Sequence, residues 1–336
     1  MASTIKEIAQ ALGLSPSTVS RALSDHPQIA ADTKLRVQRM AEKLHYAPNL
    51  WAQNLVGAST NVIGCLVLAH SNPFYIPMVR GVEDFADAHD YIVFIGESRH
   101  NYEIEKRVID RFRRIRTAGV IVSPASLHTD HLFALEKDGV AVIAAGRTVK
   151  GLDTINIDNT ASGAMVGEFF ARRNCKHVAF VSSGRDSNLP ELERMQGLNR
   201  ALNANGIGLA EVYRVGDNRI SAGEKAGTLY MRDEKRPDAV FCSNDLLAMG
   251  FIQSVMRDGI QVPDDVIVVG HDDIPFADNF ILPLTTIAFP KYEMGKMAAE
   301  LLLRRIKKPS KNHQPAAIIL QPRLIERNSS RLEEQD

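Results

Sequence analysis

TIKEIAQALGLSPSTVSRAL, residues 4–23, carries the start and stop signals of two short helices joined by a tight turn. Thr4 and Glu7 are spaced as a capping box, in which the threonine hydroxyl accepts from a first-turn N–H and the glutamate reaches back to the cap. Gly13 supplies the left-handed residue that ends this helix. Ser15 caps the second helix, and Pro16 suits its first position because the N–H there has no partner to lose. So short a turn forces a steep crossing, and one helix then braces the other as a helix-turn-helix does in a major groove. Val19 and Leu23 face inward on the second helix, leaving Ser17, Thr18, Ser20 and Arg21 outward. Short hydroxyls reach phosphates or base edges, and a guanidinium can donate twice to guanine O6 and N7. A three-helix bundle with an ordinary polar face fits the same spacing.

Outward from this stretch, Ile5, Ile8, Ala9 and Leu12 form one helical stripe and Val37, Met40, Ala41 and Leu44 another. Asn49 to Val56, bracketed by Pro48 and Gly57, is too short for a stable helix on its own. From Val62 the texture changes: apolar runs at 62–69, 91–95, 120–122, 140–145, 178–181, 239–241 and 266–269 alternate with amphipathic helical stretches. Val/Ile-rich strands separated by helices indicate parallel sheets covered on both faces. Two such blocks, about 62–158 and 159–288, predict two doubly wound lobes.

With 336 residues the chain suits two or three domains, and 45% hydrophobic with 24% charged residues is an ordinary globular composition. Lys+Arg and Asp+Glu balance at 40 each, although residues 1–60 carry six basic side chains against four acidic ones. Cys65, Cys175 and Cys242 are far apart and form no CxxC, and Cys65 and Cys242 sit in apolar runs, which fits buried free thiols in a reducing cytoplasm. No run approaches the roughly 18 apolar residues that span a bilayer, so no membrane partner is expected. GxxxxGK[ST], GxSxG and HExxH are all missing, and enzymatic function is not expected. His128 and His131 lack a supporting acid or cysteine cluster; a surface position is expected for them, with no metal and no cofactor.

Residues 4–23, followed by YAPNLWAQNL (46–55) and VIG (62–64), resemble the DNA-binding head and hinge of the LacI family of bacterial transcriptional regulators. The resemblance continues through SNPF (71–74), SND (243–245), VGHDD (269–273) and PLTTI (283–287). It implies base reading by Pro16, Ser17 and Arg21, and phosphate contacts from Thr4, Ser15, Thr18, Ser20, Tyr46 and Asn49. Asn49 to Val56 would fold as a hinge helix on operator DNA, with Ala52 in a common family form and Leu55 as the wedge that kinks the central base step. Trp51 is unexpected there, as either a packing contact or a DNA contact. Ala30 departs from the serine that usually starts the third helix, and Asp32 offsets this in part through the helix dipole.

The implied architecture is a small all-α head (1–48), a hinge (49–60) and a periplasmic-binding-protein-like core (61–330) ending in a polar tail (329–336). Its N-lobe takes about 62–158 plus 290–316 and its C-lobe about 159–288 plus 317–328. Open parallel sheets bind ligands beyond the carboxyl ends of their strands. Asn72, Phe74, Tyr75, Asn244 and Asp272 lie at such ends, and Arg194 falls where the family places a ligand-binding arginine. Arg147 and Asp158 match variable pocket positions, as Asn188 and Asn218 do more loosely; Asn72 and Asp245 fit strand-end capping equally well. A carboxylate facing a guanidinium suits vicinal hydroxyls, which points to a sugar or sugar derivative. The expected protein is therefore a cytoplasmic homodimeric repressor of a near-palindromic operator, controlled by a sugar-like effector. Control by a protein partner or a nucleobase-type co-repressor is the second reading, and a two-lobed solute-binding protein is the remote one.

Overall fold

In the computed structural model, residues 4–46, 60–185, 188–309 and 313–331 are described. The chain divides into two units, Met1–Thr60 and Asn61–Asp336. In the first, α1 (Ile5–Leu12), α2 (Pro16–Leu23) and α3 (Ala31–Lys43) close on Ile8, Ala9, Val19, Ala22, Val37 and Ala41. Both halves of the capping box form, with Glu7 N donating to Thr4 Oγ1 at 3.3 Å and Thr4 N to Glu7 Oε2 at 2.9 Å. Gly13 takes φ 65°, and Thr18 N donates to Ser15 Oγ at 3.1 Å. Ala30 gives α3 no side-chain cap.

The second unit holds two six-stranded sheets, all parallel except for one pair. The first contains β1 (Val62–Val67), β2 (Ile92–Glu97), β3 (Gly119–Val122), β4 (Ala141–Ala145), β5 (Asp153–Ile157) and β11 (Ala317–Leu320), in the order β11-β5-β4-β3-β1-β2. The second contains β6 (Val178–Ser182), β7 (Leu209–Arg214), β8 (Ala239–Cys242), β9 (Ile267–His271), β10 (Thr285–Ala288) and β12 (Arg323–Ile325), in the order β12-β10-β9-β8-β6-β7. Helices α4 (Tyr75–Asp87), α5 (Tyr102–Arg114), α6 (Asp130–Lys137) and α11 (Lys291–Lys307) go with the first sheet. The second is covered by α7 (Asn159–Arg172), α8 (Leu189–Ala204), α9 (Ile220–Tyr230) and α10 (Asp245–Arg257). β1, β3, β6, β8 and β9 are buried along their whole length, which is why they read as unbroken apolar runs.

Two expected boundaries shift. Residues 317–320, expected in the C-lobe, form β11, which pairs in parallel with β5 as an edge of the first sheet, where its backbone groups find partners. The chain crosses only after Leu320, and β12 then runs antiparallel to β10. Ser329 and Ser330, expected to begin a polar tail, are fully buried: Ser329 Oγ donates to Val268 O at 2.6 Å, and Ser330 Oγ bonds Thr285 Oγ1 at 2.7 Å. All three cysteines are buried free thiols, and burial pushes the Cys65 thiol up to about 12. Among the described residues no helix is long and apolar enough to cross a membrane.

Candidate functional site

On α2 the inward residues are Val19, Ala22 and Leu23, so Pro16, Ser17, Ser20 and Arg21 are exposed and Thr18 is half-buried. Ser15 Oγ holds the cluster together, 2.8 Å from both Ser17 Oγ and Thr18 Oγ1. Arg21 projects from the last turn of the helix with no salt bridge to hold its guanidinium among the described residues. Tyr46 packs half-buried against the head core, and burial raises its phenol. Asn49, Trp51, Ala52 and Leu55 lie outside the described residues.

In the core, a cavity of about 120 Å³ lies where the carboxyl ends of strands from both sheets converge. Phe74, Tyr75 and Arg147 reach it from the first sheet's side, and Arg194, Asn244 and Asp272 from the second's. Asn72, Asn188 and Asn218 complete the predicted residues that line it. Phe74 and Tyr75 meet edge to face at 4.8 Å, offering the cavity an aromatic wall.

Arg194 is fixed on two sides. Its Nε donates to Asn159 Oδ1 at 2.9 Å and its Nη1 to Ser243 O at 2.6 Å. Burial lowers its pKa, opposed chiefly by the charge of Asp272. Its helix is seated by Gly163 of α7, where a Cβ would stand 1.8 Å from Arg194 O, and by Gly197, where one would stand 2.0 Å from Thr160 O. Asp272 follows β9 at φ 115°, and its N–H donates to Ile287 O at 2.9 Å. Lys291 Nζ clasps the carbonyls of Asp272 and Asp273, and Arg327 Nη2 bonds Asp273 Oδ1 at 2.8 Å. One Asp272 oxygen meets His271 Nδ1 at 2.9 Å. Arg147 donates Nη1 to Ser126 O at 2.8 Å, and burial lowers its pKa as well.

Asp158 does not line the cavity. Expected from a variable pocket position of the family, it instead caps α7, its Oδ1 accepting Ala161 N at 2.8 Å. Asn72 and Asn244 line the cavity and also cap, accepting from Phe74 N at 3.0 Å and Leu247 N at 2.8 Å. Asp245 is a fully buried bracket: it accepts Thr286 Oγ1 at 2.5 Å and Ile274 N at 2.8 Å, and burial raises its pKa well above the ordinary carboxylate value. His131, expected at the surface, bonds Glu105 Oε1 at 2.8 Å with its side chain only 8% exposed, because Tyr102 and Glu105 of α5 cover it. His128 is exposed, and no group of histidine, cysteine and carboxylate side chains among the described residues could hold a metal ion.

Sequence reasoning missed His100, Ser123, Arg185, Glu191 and Ser243, which also line the cavity. Ser123 and Ser243 follow strands directly, so the strand-end rule would have found them; Arg185 and His100 sit in loops whose direction no pattern encodes.

Residues 4–49 match the family described as bacterial regulatory proteins, lacI family, and residues 168–330 match a periplasmic binding protein-like domain. The HTH-type transcriptional repressor PurR of Aliivibrio fischeri (strain ATCC 700601 / ES114) is 32% identical over 333 residues, covering 97% of this chain and 98% of that protein. Among solved structures, the lac repressor dimer bound to operator and the anti-inducer ONPF shares the fold at a TM-score of 0.87 and 22% identity, covering 98% of this chain and 99% of that one. A LacI family transcriptional regulator from Enterococcus faecium with bound ribose gives a TM-score of 0.72 at 25% identity, covering 80% and 98%.

Proposed function

The chain belongs to the LacI family of bacterial regulatory proteins, and from that premise we propose that it is a transcriptional repressor whose hold on operator DNA is set by a sugar-like molecule in the cavity between its two sheets. One observation carries the effector reading. Arg185 Nη1, Asn218 Oδ1 and Ser243 Oγ are buried around this cavity with no hydrogen-bond partner among the described residues. A buried polar atom left unpaired costs about 1–3 kcal/mol, so native proteins keep few of them. A ligand rich in hydroxyls would satisfy all three. Arg194 and Asp272 add a donor fork and a carboxylate for vicinal hydroxyls, and a relative of the same fold carries ribose. The aromatic wall of Phe74 and Tyr75 favours a flat ring instead, which keeps a nucleobase-type co-repressor as the second reading.

A thermal-shift screen of sugars and nucleobases tests this, since a ligand that binds only the folded chain raises its melting point by mass action. The hit is expected to stabilise the wild type and to lose its effect in Arg194→Ala. A hit of equal strength in both proteins would place the ligand elsewhere.

On the DNA side, exposed Pro16, Ser17 and Arg21 are assigned to base edges, with Thr4, Ser15, Thr18, Ser20 and Tyr46 toward phosphates. Asn49, Ala52 and Leu55 are assigned to the hinge that enters the minor groove. Two such heads on a near-palindrome require a dimer. Ile92, Phe94 and Ile95 on the β2 edge, with Phe276 and Ile281 in the C-lobe, are exposed apolar side chains suited to covering by a second copy.

A further inference from the structure

This step rests on the cavity being the effector site, and it concerns the effector's charge. Beside the cavity lies a second one of about 250 Å³, and the two share Asn72, His100, Arg185 and Asn218. Around the second cavity the charged side chains pair off. Arg99 Nε donates to Glu97 Oε2 at 3.2 Å, and Arg219 Nε to Asp217 Oδ2 at 2.6 Å. The other oxygen of Asp217 already accepts Asn218 N at 2.7 Å. Among the described residues Arg185 has only a loose ion pair. Its Nη2 stands 3.8 Å from Asp217 Oδ1, beyond hydrogen-bond reach, and its Nη1 is buried without a partner among the described residues.

Three further features frame this corner. The inner cavity sets Arg147 and Arg194 against Asp272 and Glu191, and the Glu191 oxygens accept from Ser182, Ser183 and Asn188 rather than from Arg185. The sixteen-residue α8 begins here, and Asn188 gives its N-terminus no side-chain cap. His100, at the junction, has its pKa pushed down to about 4, by burial first and then by Arg185, so it is neutral near pH 7 and able to donate or accept.

We infer that the effector carries an oxyanion, a phosphate or a carboxylate, which Arg185 receives where the two cavities meet while the rest of the molecule lies deeper against Arg194 and Asp272. A bidentate guanidinium contact is the recognition suited to either group.

The test titrates the full chain with ribose, ribose 5-phosphate, glucose, glucose 6-phosphate, gluconate and inorganic phosphate. Calorimetry and melting temperature are the readouts, with chloride holding ionic strength constant. At least one anion is expected to bind tenfold or more tighter than its neutral parent. Arg185→Gln should remove that advantage while weakening the neutral parent much less, and Arg185→Lys should restore part of it. Preference for the phosphates or for gluconate identifies the oxyanion. Neutral sugars binding as well as the anions, or Arg185→Gln weakening both alike, would overturn the inference. If neutral binding were then lost in Asp272→Asn, the cavity would stand as the effector site and only the anion would fail. Binding of anions that survives Arg185→Gln intact overturns the role of Arg185, and no response to any probe overturns the inference together with the cavity reading.

Discussion

Asp272 takes a φ of 115°, a conformation that costs a non-glycine residue about 1–3 kcal/mol. What holds it there is a clamp of neighbours: Ile287 O on its N–H, Lys291 on its carbonyl, and Asp273 pinned by Arg327 and by Thr286 Oγ1 at 3.3 Å. Strain kept at a cavity wall by so many contacts aims a carboxylate at a fixed point. Next to it, complete burial pushes the His271 imidazole down to about 4, helped by the charge of Arg194 and opposed by Asp272. An unfolded histidine titrates near 6.5. With the folded value depressed, His271 contributes stability that is fully present above about pH 6.5 and is lost as pH falls from there toward 4. Urea denaturation should therefore show a midpoint that declines over this window, by at most about 1.4 kcal/mol per pH unit for one such group. His271→Gln should make the decline shallower, with His100 acting in the same direction and the raised Asp245 carboxyl in the opposite one; an unchanged slope would contradict the assignment. At the other end of the chain, Arg21 is exposed on α2. Arg21→Ala should weaken binding to a selected operator by ~1–3 kcal/mol while binding to random duplex changes much less. Equal losses on both would make Arg21 a phosphate contact.

At the level of elements, glycines set the position of the site. Gly163 and Gly197 let α7 and α8 approach until backbone meets backbone, and the carbonyl that Gly163 touches belongs to Arg194. Gly163→Ala must push α8 outward and carry Arg194 with it. The melting point should fall by an amount equivalent to ~1–3 kcal/mol, the usual cost of overpacking, and effector affinity should fall too. Gly208, with nothing within 4 Å, should accept alanine without either loss. If Gly163→Ala binds effector like the wild type, Arg194 does not depend on this seat. These helices also show what a sequence discloses. The buried strands β1, β3, β6, β8 and β9 announce themselves as Val/Ile runs. β5 does not: Asp153, Thr154 and Asn156 interrupt it, yet it is buried throughout because Arg305 and His313 bind the Asp153 carboxylate. β7 and β12 are edge strands with polar residues, β11 is a four-residue apolar edge strand, and the pairing of all three depends on partners distant in sequence. The site divides in the same way. Phe74, Arg194, Asn244 and Asp272 were legible from strand ends and from the family's motifs, and they do meet at one cavity. Asp158, expected from a variable pocket position of the family, turns to its own helix at Ala161 N, a local cap that the positional match does not distinguish from a ligand contact. Arg185 and His100 depend on how two loops from different sheets come together, which no local pattern records.

For the molecule as a whole, the reading requires two copies. The dimer should be stable at micromolar concentration by light scattering. Ile281→Asp, at a side chain 78% exposed, should leave the melting point of dilute protein nearly unchanged while shifting the population to monomer and weakening operator binding. A variant that stays dimeric would remove the C-lobe patch from the interface. Control by effector is a matter of differential affinity: the ligand moves the chain between operator-binding and released forms only by binding one of them more tightly. Couplings of this kind are typically about 1–3 kcal/mol, or roughly 5- to 150-fold in operator affinity. The most direct measurement is an anisotropy titration of a selected operator with wild type and Asp272→Asn, each with and without the effector found by thermal shift. The account predicts that effector changes wild-type operator affinity by at least about fivefold. Asp272→Asn should match wild type without effector and need a several-fold higher effector concentration for the same response. An effector that occupies the cavity yet leaves operator affinity unchanged would contradict it, as would an Asp272→Asn protein that binds effector normally but has lost the operator.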